Sequence, residues 1–383
     1  MKDFTFYNPT KIIFGQQALQ EIPVELKQRH FQKIFLTFGK GSLKDSRLHK
    51  DLVGLLQGFE VKEFWGIEPN PRVETLREAT KIAKKFAPDL ILAVGGGSVI
   101  DASKLLIASV NSSIDPWDLV LDISQAKVFT PLATILTVSA TGSEMNNGAV
   151  ITNWKKNEKL SFGDVRAFPI FSILNPEYTT SLTGEQTAYG IVDIFSHVCE
   201  QYLHTTTNAL IQDRFAEGIL LTLIETAPKL LADLTNYDFR STVMWSSTMA
   251  LNRLIGMGVA QDWASHRIEH QLSAFYDIPH GAGLAIVTPR WMPEISPQKF
   301  AKFVQYGHRV WNLSGNDEAV VQEAISKTYD FFKSLGIKMN LNEWGIDDQN
   351  FPLMISRLDK DKIGEFPLTK EQLTHILNNC LTN

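Results

Sequence analysis

Short apolar runs alternate with helical patterns through the first half of the chain. Four runs are typical of strands, at residues 33–38, 59–64, 90–94 and 132–136. Residues 75–86 have the clearest helical pattern, because their apolar side chains recur on one stripe and the segment ends before a proline. Alternating strands and helices predict an α/β fold, in which helices cover a parallel sheet.

The pattern changes after about residue 176. Segments 184–204, 211–234 and 240–254 show helical periodicity without strand-like partners. We therefore expect an α/β domain over residues 1–180 and an all-helical domain over residues 181–383. A cleft between two such domains is a common place for a ligand.

The composition is that of a folded globular protein. Of 383 residues, 44% are hydrophobic and 21% are charged, which excludes a disordered or disulfide-stapled chain. The net charge is -5 and no dense block of Lys and Arg occurs, so we expect no nucleic-acid partner and no membrane partner. Two cysteines, Cys199 and Cys380, cannot form a disulfide framework, and no secretory or membrane-spanning segment is predicted. These features favour a cytoplasmic location.

A glycine-rich turn follows the apolar run at residues 90–94. It consists of Gly95-Gly96-Gly97-Ser98 and leads into a helical pattern over residues 99–110. Glycines let the backbone approach an anion, the helix N-terminus attracts it, and Ser98 is placed to cap the helix and donate to a phosphate. The turn is neither a G-x-G-x-x-G motif nor a P-loop, so a simple tight turn is the alternative. Lys104 is either a further cation for the phosphate or a solvated helix lysine.

A second small, polar loop follows the predicted strand at residues 132–136. It contains Thr137 and Ser139. Two such loops at strand ends of one open sheet favour a dinucleotide over an isolated phosphate. The first domain is therefore predicted to bind a dinucleotide.

A third loop follows the predicted strand at residues 33–38 and contains Gly39 and Ser42. No acid occurs in it before Asp45. In dinucleotide folds an acid here binds the ribose hydroxyls of NAD(H), so its absence favours NADP(H). A flexible surface turn is the alternative.

Side chains that can bind a metal cluster in two short stretches of the second half. Asp193 and His197 are four residues apart, as are His266 and His270, so each pair shares one face of a helix. Imidazoles combined with a carboxylate suit Fe²⁺, Zn²⁺ or a similar ion, whereas buried structural histidines are the alternative. The predicted ligands of one metal ion are Asp193, His197, His266 and His280. His270, one turn beyond, is left free to act on a substrate.

The remaining histidines lie in ordinary polar surroundings. We expect them at the surface: His30, His49, His204, His308 and His375.

Four ordered motifs together resemble the iron-containing alcohol dehydrogenases. They are residues 95–104, residues 140–146, residues 190–193 with His197 and Glu200, and residues 262–270 with His280-Gly281. The branch they resemble contains NADPH-dependent butanol dehydrogenases and aldehyde reductases, and the opening residues 4–15 are similar to it as well. The resemblance covers nearly the whole chain and implies a dehydroquinate synthase-like fold.

The resemblance also implies roles for individual residues. The four predicted ligands would bind iron, or sometimes zinc. The implied cofactor residues are Gly95, Gly96, Gly97 and Ser98 at the diphosphate, Thr137 and Ser139 along the dinucleotide, Lys159 from a hairpin at residues 155–162, and Asp101 in the glycine motif. Gly39 stands where NAD-dependent relatives have an aspartate, which strengthens the prediction of NADP(H), with Ser42 in the same loop.

The implied activity is hydride transfer between NADP(H) and small aldehydes or primary alcohols, in a homodimer. A Lewis-acid metal would act on the substrate oxygen, and His270 would exchange the proton with solvent. One alternative is NAD-dependent polyol oxidation of the glycerol dehydrogenase type, which an assay with glycerol and NAD⁺ separates. The other is a non-catalytic, metal-stabilised binding protein, which metal-dependent turnover excludes.

Overall fold

Two units account for residues 1–382, which the computed structural model describes. The first unit consists of Tyr7–Leu182 and Thr235–Met244, and the second of Met1–Phe6, Thr183–Leu234 and the chain from Trp245 onward. The longest uninterrupted segment of the first unit ends at Leu182, and the second unit resumes at Thr183.

A parallel sheet forms the centre of the first unit. The strands of this unit are β1 (Lys11–Phe14), β2 (Lys33–Gly39), β3 (Glu60–Ile67), β4 (Leu90–Gly95), β5 (Leu132–Leu136), β6 (Gly148–Asn153), β7 (Glu158–Gly163) and β8 (Phe171–Leu174). Six of them form the sheet in the order β1-β8-β5-β4-β2-β3, and every neighbouring pair is parallel. Strands β6 and β7 pair separately as an antiparallel hairpin.

Helices cover both faces of this sheet. They are α1 (Ile22–Gln28), α2 (Arg47–Leu55), α3 (Val73–Phe86), α4 (Gly97–Ser109) and α5 (Pro116–Leu121). Successive residues of a strand point to opposite faces, so Ile34 and Leu36 join one core with α1 and α2, while Phe35 joins the other with α3, α4 and α5. The α/β fold predicted from the alternating pattern is confirmed.

The connections change direction between the neighbouring strands β2 and β4. After β2 the chain passes through α2 on one face to β3, whereas after β4 it passes through α4 and α5 on the other face to β5. These two strands end at Gly39 and Gly95. Ligands of open parallel sheets bind in the crevice outside such strand ends. The fold therefore brings the loop at Gly39 and the glycine turn to one crevice.

The second unit is helical, as the change of pattern predicts. Its helices are α6 (Gly184–Tyr202), α7 (Leu210–Ala232), the end of α8 (Tyr237–Ala250), α9 (Ala264–Tyr276), α10 (His280–Ile295), α11 (Phe300–Val310), α12 (Asp317–Ser334), α13 (Phe351–Asp361) and α14 (Lys370–Leu381). Helix α6 begins at the predicted residue because Thr183 and Gln186 form a capping box.

Short 3-10 helices join several of these elements. They are Ala18–Glu21, Ile123–Gln125, Ser143–Met145, Trp154–Lys156, Val165–Ala167, Pro176–Thr179 and Leu341–Trp344. Within residues 1–382, none of the helices combines the length and the apolar character that a membrane span requires.

Candidate metal centre and cofactor cradle

The glycine turn between β4 and α4 has no room for side chains. A Cβ atom on Gly96 would lie 2.8 Å from Val138 Cβ, and one on Gly97 would lie 2.3 Å from Thr141 Oγ1. The turn is therefore packed against the loop that follows β5. This is the bare backbone that a diphosphate needs for close approach.

Gly96 occupies the N-cap of α4. Ser98 lies inside the first turn of the helix, so the expectation that it caps the helix is wrong. In the described chain no side chain caps this end. An uncapped helix N-terminus of this kind is a favourable place for an anion, because of its N–H groups and the positive end of the helix dipole.

The loop after β5 adds a hydroxyl to the same crevice. The N–H of Thr137 donates to the carbonyl of Gly95 at 3.0 Å, which ties the loop to the end of β4. Ser139 is buried, and its Oγ has no hydrogen-bond partner among residues 1–382. A buried hydroxyl without a protein partner fits a ligand oxygen.

Asp101 and Lys104, both in α4, form hydrogen bonds with the segment that follows this loop. Asp101 accepts hydrogen bonds from the Ser143 hydroxyl at 2.6 Å and from the Val150 N–H at 2.9 Å. The ammonium of Lys104, which is fully buried, donates to Ser143 Oγ at 2.8 Å and to the carbonyl of Gly148 at 2.7 Å. Burial lowers the pKa of Lys104 to about 8 and raises that of Asp101. Lys104 is therefore not a solvated lysine, and contact of Asp101 with the cofactor stays a prediction.

The loop after β2 has room for a side chain at Gly39. A Cβ atom on Gly39 would make only ordinary contacts, 3.7 Å from the carbonyl of Ile67 and 3.9 Å from Val99 Cγ2. Because Val99 lies in the first turn of α4, Gly39 adjoins the glycine turn. Ser42 is exposed in the same loop.

Lys159, predicted to approach the cofactor, lies in β7. Its side chain is buried and its ammonium donates to Asn70 Oδ1 at 2.8 Å. This bond ties the β6–β7 hairpin to the turn before α3.

The predicted metal ligands come together within the second unit. Helix α6 carries Asp193 and His197, α9 carries His266, and His280 is the first residue of α10. Asp193 Oδ1 lies at the centre of the cluster. Its distances to the three imidazole Nε2 atoms are 3.5 Å for His197, 3.8 Å for His266 and 3.6 Å for His280.

The facing atoms of this cluster fit a metal ion. Asp193 Oδ1 and His266 Nε2 are both buried, and neither has a hydrogen-bond partner in the described chain. Buried polar atoms are rarely left in this way. The ligand atoms of Asp193, His266 and His280 all lie within 4.8 Å of one another, so a divalent ion among them would satisfy these atoms. His197 adds a further imidazole nitrogen 3.5 Å from Asp193 Oδ1. This mixed donor set suits iron or zinc.

The approach of α10 to α6 depends on a glycine. A Cβ atom on Gly281 would lie only 2.2 Å from the backbone oxygen of Tyr189 in α6. Gly281 therefore allows the first turn of α10 to contact α6. That contact holds His280 beside Asp193.

Two buried carboxylates behind the cluster were not predicted as functional. Glu200 lies 3.2 Å from His266 Nδ1, and Glu269 forms a hydrogen bond with His280 Nδ1. A sequence signal existed, since each glutamate follows a predicted histidine ligand by three residues on a helix. That spacing did not show which histidine each carboxylate contacts.

The charged groups of the cluster shift one another's pKa values. Burial alone would raise the pKa of Asp193, but His197 and His280 hold it well below its ordinary range. Burial lowers the pKa of His266, whereas Asp193 and Glu200 raise it, and the balance lies at about 9. Asp193 is therefore ionised at neutral pH, as a metal ligand must be.

His270 lies beside the cluster, one turn after His266 on α9. Its ring centre is 5.6 Å from that of His280. Of the histidines expected at the surface, His30, His308 and His375 are exposed and His49 is half-buried. The expectation for His204 is wrong: the side chain is 1% exposed, because it packs 3.2 Å from Asp213 Oδ1 inside the helical unit.

Comparison with known proteins identifies the family. Residues 9–176 match the model for iron-containing alcohol dehydrogenases, and residues 187–381 match the model for the C-terminal part of the same family. The chain is 42% identical to the probable NADH-dependent butanol dehydrogenase 1 of Bacillus subtilis, covering 100% of both chains. It is also 42% identical to the NADPH-dependent aldehyde reductase YqhD of Escherichia coli, covering 94% of each.

A solved structure agrees with these sequence matches. That of NADH-dependent butanol dehydrogenase A from Thermotoga maritima superposes with a TM-score of 0.95 at 34% identity, over 100% of this chain and 99% of that one. Two matched family models, relatives of equal length and a shared fold agree with the motifs and with the cluster around Asp193. The chain therefore belongs to the iron-containing alcohol dehydrogenase family.

Proposed function

We propose that this chain interconverts small aldehydes and primary alcohols, with NADP(H) as the hydride carrier and one divalent metal ion, iron in the first place and zinc as the alternative. The observation that carries the proposal is the convergence of three imidazole Nε2 atoms on Asp193 Oδ1 within 3.8 Å. Relatives named as butanol dehydrogenases and as an aldehyde reductase support small, uncharged substrates.

The ligand cluster would provide the place where the substrate oxygen is activated. The residues that would hold the ion are Asp193, His197, His266 and His280. When bound, the ion supplies a Lewis acid for the substrate oxygen, and the nicotinamide supplies or accepts the hydride. The side chain of His280 is 23% exposed, against 4% for Asp193, so the cluster is accessible from the side of His280. A substrate oxygen would enter from that side.

The crevice of the first unit would bind the dinucleotide. The glycine turn and the N-terminus of α4 would hold the diphosphate, and the free hydroxyl of Ser139 would donate to it or to the neighbouring ribose. The missing acid at Gly39 supports NADP(H), because a ribose 2′-phosphate needs space and no nearby carboxylate. The relatives include both NADH- and NADPH-dependent enzymes, so rates with the two coenzymes are compared directly in the test below.

His270 would exchange the reaction's proton with solvent. It is buried beside His280, within reach of a substrate on that side of the cluster. Replacing His270 with Asn should change the pH dependence of kcat more than KM for the aldehyde. Full turnover of the variant at all pH values would remove this role. A homodimer and a cytoplasmic location stay predictions.

The test is a set of parallel rate measurements on the purified protein. Butanal is assayed with NADPH and with NADH, glycerol with NAD⁺, and elemental analysis identifies the bound ion. We expect aldehyde-dependent NADPH oxidation that chelation abolishes and Fe²⁺ or Zn²⁺ restores. A metal-loaded protein that oxidises neither NADPH nor NADH with any small aldehyde would refute the proposal.

A further inference from the structure

We propose that Glu200 and Glu269 are positioning residues, which orient His266 and His280 and thereby set the affinity of the site for its ion. The inference rests on the metal ligands of the proposed function, but on neither the substrate nor the coenzyme. Both glutamates are 0% exposed, although neither belongs to the predicted ligands. A buried carboxylate is costly unless its oxygens are used.

Both carboxylate oxygens of Glu200 accept hydrogen bonds from the segment that carries His266. Its Oε1 accepts from the Ser265 hydroxyl at 2.6 Å and from the His266 N–H at 3.1 Å, and its Oε2 accepts from the Trp263 N–H at 2.8 Å. The same Oε1 lies 3.2 Å from His266 Nδ1. Nδ1 is therefore the ring nitrogen placed beside the carboxylate. The other ring nitrogen, Nε2, faces Asp193 Oδ1 at 3.8 Å.

Trp263 shows how tightly this segment is held. It is the N-cap of α9 and has a left-handed backbone, with φ +66°. A bulky residue rarely adopts this conformation unless its surroundings enforce it. The hydrogen bond to Glu200 holds Trp263 in that conformation, three residues before His266.

Glu269 does the same for His280. Its Oε2 bonds His280 Nδ1, and its Oε1 accepts from the Ser273 hydroxyl. The Glu269 side chain fits here because residue 283 is a glycine: a Cβ atom on Gly283 would lie only 2.8 Å from Glu269 Cγ. His280 Nε2 is again the nitrogen that faces Asp193, at 3.6 Å.

The two pairs have a common chemical consequence. A carboxylate behind an imidazole fixes the tautomer and the ring orientation, and it makes the other nitrogen a stronger donor to the metal. Loss of such a partner lowers metal affinity by about 10- to 100-fold in general. A carboxylate that served folding alone would change stability and leave metal affinity unchanged.

The experiment measures metal binding by Glu200→Gln and Glu269→Gln. Each change keeps the size and one acceptor oxygen but removes the charge. Metal-free protein is titrated with Zn²⁺ against a chromophoric chelator, and with Co²⁺ while its visible absorption is recorded. We expect a 10- to 100-fold weaker Zn²⁺ affinity, of the order seen for other partners of this kind, and an altered Co²⁺ spectrum in both variants.

A matched control is Glu217→Gln in α7. Glu217 is also buried and also charged, but its partners include Tyr202 and Arg309 and none of the predicted ligands. This variant should lose stability and keep the Zn²⁺ affinity and the Co²⁺ spectrum of the wild type. Zn²⁺ affinity within twofold of the wild type in both test variants would overturn the inference, as would equal weakening in Glu217→Gln.

Two gentler variants cover the case in which a test variant does not fold. Ser273→Ala removes a hydroxyl that donates to Glu269 and also lies 3.2 Å from the carbonyl of Ile278. Gly283→Ala displaces the Glu269 side chain and leaves that hydroxyl in place. Each should weaken Zn²⁺ binding severalfold, and unchanged binding in both would count against Glu269. A wild type that binds Zn²⁺ but reduces no aldehyde contradicts the proposed function and leaves this inference standing.

Discussion

We predict that the coenzyme preference depends mainly on one position, Gly39, at the end of β2. Replacing Gly39 with Asp should turn the enzyme from NADPH towards NADH. The structure tolerates the change, because the new Cβ would lie 3.7 Å and 3.9 Å from its nearest neighbours and the backbone is not in the left-handed region. The substitution therefore adds a carboxylate without distorting the crevice.

The size of the effect follows from the two charges. A 2′-phosphate carries about -1.5 at neutral pH. At about 5 Å from the new carboxylate, with an effective dielectric constant of about 40, the repulsion is about 2.5 kcal/mol. This corresponds to a loss of about 70-fold in kcat/KM for NADPH. NADH gains a hydrogen bond from its ribose to the carboxylate, a net gain of about 1 kcal/mol, or about fivefold.

The assay compares kcat/KM for both coenzymes with butanal held in excess. Gly39→Asn is the matched control, because it has nearly the same shape without the charge. It should lose much less activity with NADPH than Gly39→Asp does. The reasoning fails if the two variants behave alike, if the NADPH to NADH ratio does not change in Gly39→Asp, or if the wild type already prefers NADH.

Three further predictions test the crevice, the ion and the buried lysine. Gly97→Ala places a Cβ 2.3 Å from Thr141 Oγ1 and should cost about 100-fold in kcat/KM for NADPH, whereas Gly54→Ala, with nothing within 4 Å, should leave it unchanged. Zn²⁺ at about 100 times its Kd should stabilise the metal-free protein by about 2.7 kcal/mol and raise Tm by about 3 °C in thermal unfolding, and Asp193→Asn should abolish the rise. Burial lowers the pKa of Lys104 to about 8 in the folded protein, from an ordinary value of 10.5. Between these two values the unfolded chain keeps the proton of Lys104 whereas the folded protein loses it, so the free energy of unfolding rises as the pH increases. From pH 8 to pH 10, the free energy of unfolding measured with urea should rise by about 2 kcal/mol more in the wild type than in Lys104→Met. An equal change in both proteins would contradict this prediction.

Local sequence pattern predicted the elements but not the contacts between them. The buried runs that became β2, β4 and β5 were recognisable because short, mainly apolar runs are typical of buried strands. Strand β8 has only four residues, and nothing in them marks a strand until β1 and β5 flank it. Lys104 has the sequence of a solvated helix lysine, yet its acceptors, Ser143 and Gly148, are about 40 residues away and appear only when the chain folds.

The candidate metal site also has a part that the sequence predicts and a part that it does not. Spacing of four residues on a helix indicated that Asp193 and His197 share a face, which is a local property. The partners of Glu200 and Glu269 are not local, since each glutamate follows one histidine by three residues and bonds a different one. A site assembled from α6, α9 and α10 has to be held by bonds between helices, and sequence spacing cannot reveal these. The ligands are therefore the part of such a site that sequence predicts, and the carboxylates behind them are the part that requires the fold.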